Sequence, residues 1–244
     1  MAASRRPGEK RQRIIDAAVD VFAAKGFFGS KVSEIAEAAG VADGTIYLYF
    51  RSKDDILISL FEEKMGEMNR RFATLLGELH SPEAKLRRYV VEHLRMVAEQ
   101  PRLMQVLTVE LRQSARFIKE YSPKAFAKYL ALLGSILDDG QRRGTFRRDL
   151  DTALFRRALF GAIDEISLEF VLRSSRAADQ PDARDFDRMG DQIASFILQG
   201  LAPPRTSETA SPSTSSGAAE SGLDRAAASP SWQEAAATAL GKAH

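Results

Sequence analysis

The stretch Val41-Ala42-Asp43-Gly44-Thr45-Ile46-Tyr47-Leu48-Tyr49-Phe50-Arg51-Ser52-Lys53 decides the fold, because its centre supports two opposite readings. Taken alone, Thr45 to Phe50 is a β-branched and aromatic run of the kind that strand propensity favours. The residues before it reverse that reading. Val32-Ser33-Glu34-Ile35-Ala36-Glu37-Ala38-Ala39 is a short amphipathic helix closed by Gly40, a residue suited to a left-handed C-terminal cap. Helix, glycine turn and second short helix form a helix-turn-helix plan. On a helical wheel of about 100° per residue, Ile46, Tyr49 and Phe50 fall on one side. Gly44, Tyr47, Leu48 and Arg51 face the other way and are free to enter a DNA groove, while hydroxyls of Thr45 and Tyr49 on the flanks can reach phosphates.

Working outward, Arg11 to Lys25 places Ile14, Ile15, Ala18, Val21 and Phe22 at spacings of three and four, a supporting helix that ends at Gly26. Phe27 and Phe28 are expected to plug the small core beneath it. On the other side, Ser52-Lys53-Asp54-Asp55 has the form of an N-cap with an acid three positions on. A long helix should start there and run to about Leu79, with Ile56, Leu57, Leu60, Phe61, Met65 and Met68 along one stripe, as a strut between the head and the remaining helices. Arg5, Arg6, Lys10, Arg11 and Arg13 cluster near the start, and Arg51 and Lys53 bracket the end of the motif. Both groups can meet phosphate, although for charge runs alone an ordinary solvated face is the readier explanation.

The remainder reads as helix. Ser81-Pro82 opens one helix that ends near Gln100; others span about Pro101 to Ser114, Ser122-Pro123 to Gly140, Asp151 to Arg173 and Phe186 to Leu201. No strand pattern competes, so the chain is all-α. From Pro203 the composition shifts to Ala, Ser, Pro, Thr and Gly, which buries too little surface to stay ordered. Within that tail, Ser231-Trp232-Gln233-Glu234 is a capping box, and a short helix over 232–240 is possible there. The expected organisation is a DNA-binding head over 1–53, a helical ligand-binding and dimerisation domain over 54–202, and a tail over 203–244.

Composition removes several classes of function. The formal net charge is only +2, so overall charge does not announce a nucleic-acid binder. There are no cysteines, which excludes disulfides and thiolate metal sites. No apolar run reaches the roughly 18 residues of a membrane span, and no apolar segment succeeds Arg5-Arg6, so a cytoplasmic protein is expected. His80, His93 and His244 lack metal-ligand spacing, and neither a P-loop, a dinucleotide fingerprint nor a nucleophile elbow is present. Asp164-Glu165 interrupts an apolar helix; neighbours on a helix diverge too far to share a proton, leaving ligand contact, a dimer-interface hydrogen bond or solvent exposure. Neither a metal, a cofactor nor a catalytic residue is assigned.

These residues resemble TetR-type repressors. Val32 to Val41 matches a "V-x-x-I-A-x-x-A-G-V" second helix, and Gly44 to Phe50 matches a "G-T-x-Y-x-Y-F" recognition helix. Asp55 to Phe61, Lys64-Met65-Gly66, Glu110 to Ser114 and Phe160 to Glu165 are further similar to the fatty-acid-responsive FadR group of that family. The resemblance implies a homodimer on palindromic double-stranded operator DNA, repressing fatty-acid degradation genes and released by a long-chain acyl-CoA effector. The implied DNA-binding residues are Lys31, Val32, Gly44, Thr45, Tyr47, Leu48, Tyr49, Arg51 and Lys53. Lys31 departs from the Thr or Ser common there, which removes a cap and adds a cation; Phe170 stands where some relatives carry tryptophan.

The apolar helices after residue 100 supply more hydrophobic positions than a small bundle needs, so a cavity for a fatty chain is expected. Leu103, Met104, Leu107, Leu111, Phe126, Leu130, Leu133, Phe160 and Asp164 are its candidate lining. Arg112 and Arg116, with Lys119 or Lys124, are candidates for the phosphates of coenzyme A. A second reading keeps the head and makes the protein an efflux-pump regulator, with Glu110, Asp164 or Glu165 facing a cationic aromatic compound. An all-α enzyme is a third reading, which the absent catalytic constellations disfavour.

Overall fold

The structure is a computed structural model, describing residues 7–113, 124–174 and 183–204. The tail with its short helix at 232–240, the arginines Arg5 and Arg6, and Arg116 lie outside the described residues. Nine α-helices succeed one another among the described residues: α1 (Pro7–Gly29), α2 (Val32–Ala39), α3 (Asp43–Ile46), α4 (Lys53–Gly77), α5 (Pro82–Glu99), α6 (Pro101–Thr108), α7 (Lys124–Arg143), α8 (Thr152–Ser174) and α9 (Ala183–Leu201). A 3₁₀ turn, Glu110–Gln113, comes after α6. No strand occurs among the described residues, and the class is all-α as the periodicity indicates.

The head forms around Ile14, Ile15, Ala18 and Phe22 of α1, all fully buried against Ile35 and Ala36 of α2 and against Ile46 and Phe50. Gly40 ends α2 in the left-handed conformation (φ 63°, ψ 43°), and Val41 N–H closes the cap on Ala36 C=O at 3.0 Å. The end of α1 differs from expectation. Gly26 breaks the helix at φ 74°, ψ 163°, a region that costs a side-chain-bearing residue, yet helical turns resume as far as Gly29. The break turns Phe27 inward and leaves Phe28 71% exposed, so only the first of the two aromatics plugs the core.

The recognition helix is also shorter than its wheel. Only Asp43–Ile46 is α-helical; Leu48 N–H then bonds Thr45 C=O and Tyr49 N–H bonds Ile46 C=O, at 3.2 and 3.0 Å, as successive tight turns. Aromatic and β-branched residues are weak helix formers, and the chain must leave in an extended conformation to reach Ser52 at φ −160°. The sidedness survives the change. Ile46 and Phe50 are buried and Tyr49 half-buried, whereas Gly44, Tyr47, Leu48 and Arg51 are exposed.

Ser52 caps α4 through Oγ, which accepts from Asp55 N–H at 3.2 Å, and Asp55 in turn accepts from Arg51 N–H at 2.8 Å. With 25 residues at about 1.5 Å each, α4 spans roughly 37 Å. It contacts α1 in the head and α5 and α7 beyond it. Its Phe72 meets Tyr89 of α5 and Tyr129 of α7 edge-on, each at 5.2 Å between ring centres. The α5 cap at Ser81-Pro82 forms as read. The segment after Pro101 does not run helical to Ser114: α6 stops at Thr108 and tightens into the 3₁₀ turn. Helix α7 passes Gly140 and ends at Arg143. Helix α9 lies along α5, where Gly190 lets the backbones close; a Cβ there would stand 2.9 Å from Val91 Cα.

Candidate nucleic-acid interface and ligand cavity

The exposed face of the α3 segment presents a hydroxyl-bearing aromatic and an aliphatic side by side, Tyr47 at 60% and Leu48 at 80% exposure. Thr45 and Tyr49 flank them half-buried, and Gly44 leaves backbone open between. At the start of α2, Lys31 is exposed and Val32 half-buried. Lysine has no acceptor for the first turn, and the cap is therefore one-sided: Glu34 reaches back to Lys31 N–H at 2.9 Å. The Lys25 ammonium on Glu34, together with that backbone bond, holds its carboxyl below the usual carboxylate range.

The Lys53 ammonium is taken up by backbone carbonyls of the head. Its Nζ donates to the carbonyls of Phe27, Phe28 and Ser30 at 2.5, 3.4 and 2.9 Å and lies 4.6 Å from the Phe27 ring centre. An ammonium has three N–H donors, and all three are engaged at the close of α1. The basic cluster at the chain start divides in the same way. Arg11 pairs with Glu63 at 2.5 Å and covers the Phe50 ring, and Arg13 donates to the carbonyls of Ala39 and Gly40, so both brace the head.

Below the head, a small cavity of about 50 Å³ opens between five helices. Helix α4 lines it with Phe61, Met65 and Met68, α5 with His93, α6 with Met104, Leu107 and Thr108, α7 with Phe126 and Tyr129, and α8 with Phe160 and Asp164. The structure thus brings together Met104, Leu107, Phe126, Phe160 and Asp164 of the expected set. Leu103, Leu111 and Leu133 are buried in the surrounding core and Leu130 is half-buried, all outside the lining. The Arg112 side chain and Arg116 lie outside what is described. Glu110 does not face the cavity; it is 5% exposed and its Oε2 accepts from Phe27 N–H at 2.7 Å. Sequence reasoning placed Phe61, Met65 and Met68 on the strut without seeing that the stripe is a cavity wall. It weighed His93 only as a metal ligand.

His93 joins an ordered chain of hydrogen bonds. Ser167 Oγ donates to Ile163 C=O at 2.8 Å and so accepts from His93 Nε2–H at 3.2 Å, leaving Nδ1 to accept from Tyr129 O–H at 2.6 Å. Every polar group in the chain is satisfied with a neutral imidazole. Burial pushes the His93 pKa down to about 4 and the Tyr129 hydroxyl well up. Around it, Phe126 meets Phe160 edge-on at 5.0 Å, and Phe160 meets the imidazole at 6.4 Å. The product is an aromatic-walled chamber with one carboxylate, Asp164, in its wall.

A histidine kept neutral when folded binds its proton first in the unfolded chain. The stability it secures is present above pH 6.5 and is lost as pH falls toward 4. Between pH 7 and 5 the loss should be about 2 kcal/mol. Urea unfolding of the wild-type chain and His93→Gln at both pH values checks this: the variant should show a shallower pH dependence, and equal slopes would contradict the neutral-imidazole assignment.

Comparison with known proteins agrees with the geometry. Residues 14–60 match the family described as bacterial regulatory proteins, tetR family, and residues 61–181 match the YsiA-like protein C-terminal region. The chain is 41% identical over 192 residues to the fatty acid metabolism regulator protein of Bacillus subtilis (strain 168), spanning 79% of this chain and 95% of that one. Among solved structures, FadR from Bacillus subtilis in complex with stearoyl-CoA superposes with a TM-score of 0.70 at 36% identity, covering 78% of this chain and 98% of that one. The fatty acid degradation regulator FadR from Bacillus halodurans gives 0.68 at 39%, with the same coverage. The chain belongs to the TetR family of bacterial transcriptional regulators, with FadR-type fatty acid metabolism regulators among its relatives.

Proposed function

We propose that this regulator represses fatty-acid degradation genes by binding operator DNA as a homodimer, and that a long-chain acyl-CoA entering the cavity releases it. The observation that carries the reading is the aromatic and methionine-lined cavity built against α4, the helix that begins at the recognition segment. The stearoyl-CoA complex of the Bacillus subtilis relative supports the ligand class. In this reading 1–53 is the DNA-binding head and 54–202 the ligand-binding and dimerisation domain. Lys31, Val32, Gly44, Thr45, Tyr47, Leu48, Tyr49 and Arg51 form the DNA face. Met104, Leu107, Phe126, Phe160 and Asp164, with the α4 residues, enclose the acyl chain.

Release requires that the ligand bind one arrangement of the dimer more tightly than the other. A chain in the cavity presses on Phe61, Met65 and Met68, and the tilt of α4 alters the separation of the two reading heads. Half-sites at fixed spacing cannot accommodate that change. A coupling of about 1–3 kcal/mol alters operator affinity roughly 5- to 150-fold. Dimerisation rests on α8 and α9, which leave Leu154 and Phe196 69% and 78% exposed, apolar surface that a second copy would cover.

Titration of the operator complex with stearoyl-CoA, palmitoyl-CoA, free palmitate, coenzyme A and a cationic dye tests the ligand class. Acyl-CoA should dissociate it with affinity rising about fourfold per methylene until the chamber is full, at about 0.8 kcal/mol each. Leu107→Trp should abolish the response while sparing operator binding. Dissociation by the dye alone would move the reading to the cationic drug regulator, for which Asp164 in the cavity wall is the supporting feature.

On the DNA side, Arg51→Ala should reduce the salt slope of operator binding by about one ion. Lys53→Ala should leave that slope unchanged and lower the melting temperature, because its ammonium holds backbone carbonyls. A reduced slope for Lys53→Ala would return that residue to the phosphate contacts. Phe196→Glu should sediment as a monomer and lose operator affinity; a dimeric variant would exclude α9 from the interface.

A further inference from the structure

Helix α6 has two working sides. One side carries Met104, Leu107 and Thr108 in the cavity wall. The other lies along the end of α1: Gln105 Nε2 donates to Ala23 C=O at 2.9 Å, and Arg102 pairs with Asp20 at 2.9 Å. Two residues beyond Thr108, the chain has tightened into its 3₁₀ turn, and Glu110 crosses to the head. Its carboxylate is buried and takes the Phe27 N–H at 2.7 Å. Gly26 makes this approach possible, since its positive φ, which a side-chain-bearing residue rarely adopts, swings Phe27 N–H out of the α1 ladder. A Cβ there would sit 3.4 Å from Oε2.

The same residue is held from the opposite side. Phe27 C=O accepts from Lys53 Nζ at 2.5 Å, and Lys53 is the first residue of α4, immediately after the recognition segment. One backbone residue therefore hangs between a buried anion from the ligand-binding domain and a cation from the base of the reading head. Hydrogen bonds to ionised groups are the strong kind, and bonds in series reinforce one another at low dielectric. Among the helices that wall the cavity, α6 is the shortest. It has 8 residues, bounded by Pro101 and the 3₁₀ turn, against 25 in α4 and 23 in α8.

We propose that Glu110 is the coupling residue of this regulator: its carboxylate transmits displacement of α6 by cavity occupancy to Phe27, and through Lys53 to the reading head. The inference rests on the acyl-CoA reading above. In the unliganded protein the Glu110 bond holds the α1–α2 turn in its DNA-binding position. A long acyl chain needs more room than the cavity gives, pushes α6 outward and strains or breaks that bond. The ligand thus favours one arrangement over the other, as a population shift requires.

The test compares full-length wild type, Glu110→Ala and Glu110→Gln. Operator affinity is measured by fluorescence anisotropy with and without stearoyl-CoA, and ligand affinity by calorimetry. Glu110→Ala should bind stearoyl-CoA as wild type does, yet its ratio of operator affinities without and with ligand should fall close to one. Glu110→Gln, which keeps an acceptor without the charge, should restore part of the ratio. A merely structural role would shift both affinities together and leave the ratio at the wild-type value, which overturns the proposal.

A second measurement needs no variant. Hydrogen exchange at the Phe27 amide in the wild-type dimer should accelerate when stearoyl-CoA binds, and unchanged protection overturns the proposal even if Glu110→Ala fails to fold. If stearoyl-CoA fails to release wild type and variants alike, the acyl-CoA reading falls and the coupling role falls with it. Failure confined to the ratio of the variants strikes Glu110 alone.

Discussion

One helix has to satisfy two cores with a single apolar stripe. Along α4, Ile56, Leu57 and Leu60 are fully buried near its start, and Phe72 is fully buried near its end. Each such side chain contributes about 1.5–3 kcal/mol when removed from water, so neither half can turn freely about its axis. Ion pairs fix the first half to α1, with Arg11 on Glu63 and Lys64 on Asp16 at 3.0 Å. Asn69 then donates to Ala125 C=O of α7 at 2.8 Å. Between the two anchored ends lie Phe61, Met65 and Met68, buried residues of the same stripe that also line the cavity.

The chamber that this middle section overlooks is specified by polar groups as much as by apolar ones. The chain from Tyr129 through His93 and Ser167 to Ile163 C=O ties α7, α5 and α8 together. A buried network with each member paired fixes one arrangement of its helices, whereas a half-paired one would be costly. Phe126, Tyr129 and Phe160 then stand as a rigid aromatic wall, facing the thioether side chains of α4. Thioethers are unbranched and adapt their shape. The cavity therefore combines one fixed wall with one adjustable wall.

How much was legible in the sequence depends on the range of the forces involved. The Gly40 cap, the Ser52 cap, the Pro82 start and the two faces of the α3 segment all rest on neighbours within a few positions, and each could be read from residue type and spacing. The length of α3 was misjudged because a wheel assumes that a helix continues, while the hydrogen bonds after Ile46 shorten to successive tight turns. The contacts of Lys53 and Glu110 were not legible, for a different reason. Their partners are backbone groups, 26 residues away for the Lys53 bond to Phe27 and 83 away for the Glu110 bond. A peptide N–H or C=O has no letter in the sequence, so nothing in the composition of residues 27 to 30 marks them as the place where both charges end. That Met104, Leu107, Phe126 and Phe160 border a cavity accords with an apolar surplus that is visible as composition.

The brevity of α3 has a consequence for how this protein can change. A single helical turn has almost no stability of its own, since nucleation is the costly part of helix formation. Its shape is imposed from beneath by Ile46 and Phe50, which belong to the buried core of the head. Gly44, Tyr47 and Leu48 add little to that core. Positions that maintain the fold and positions that stand exposed are thus different residues, alternating along a few ångströms of chain. Substitutions on the outer set carry little cost in stability, while the inner set holds the exposed surface in one pose. A head built this way can change its outward chemistry without refolding.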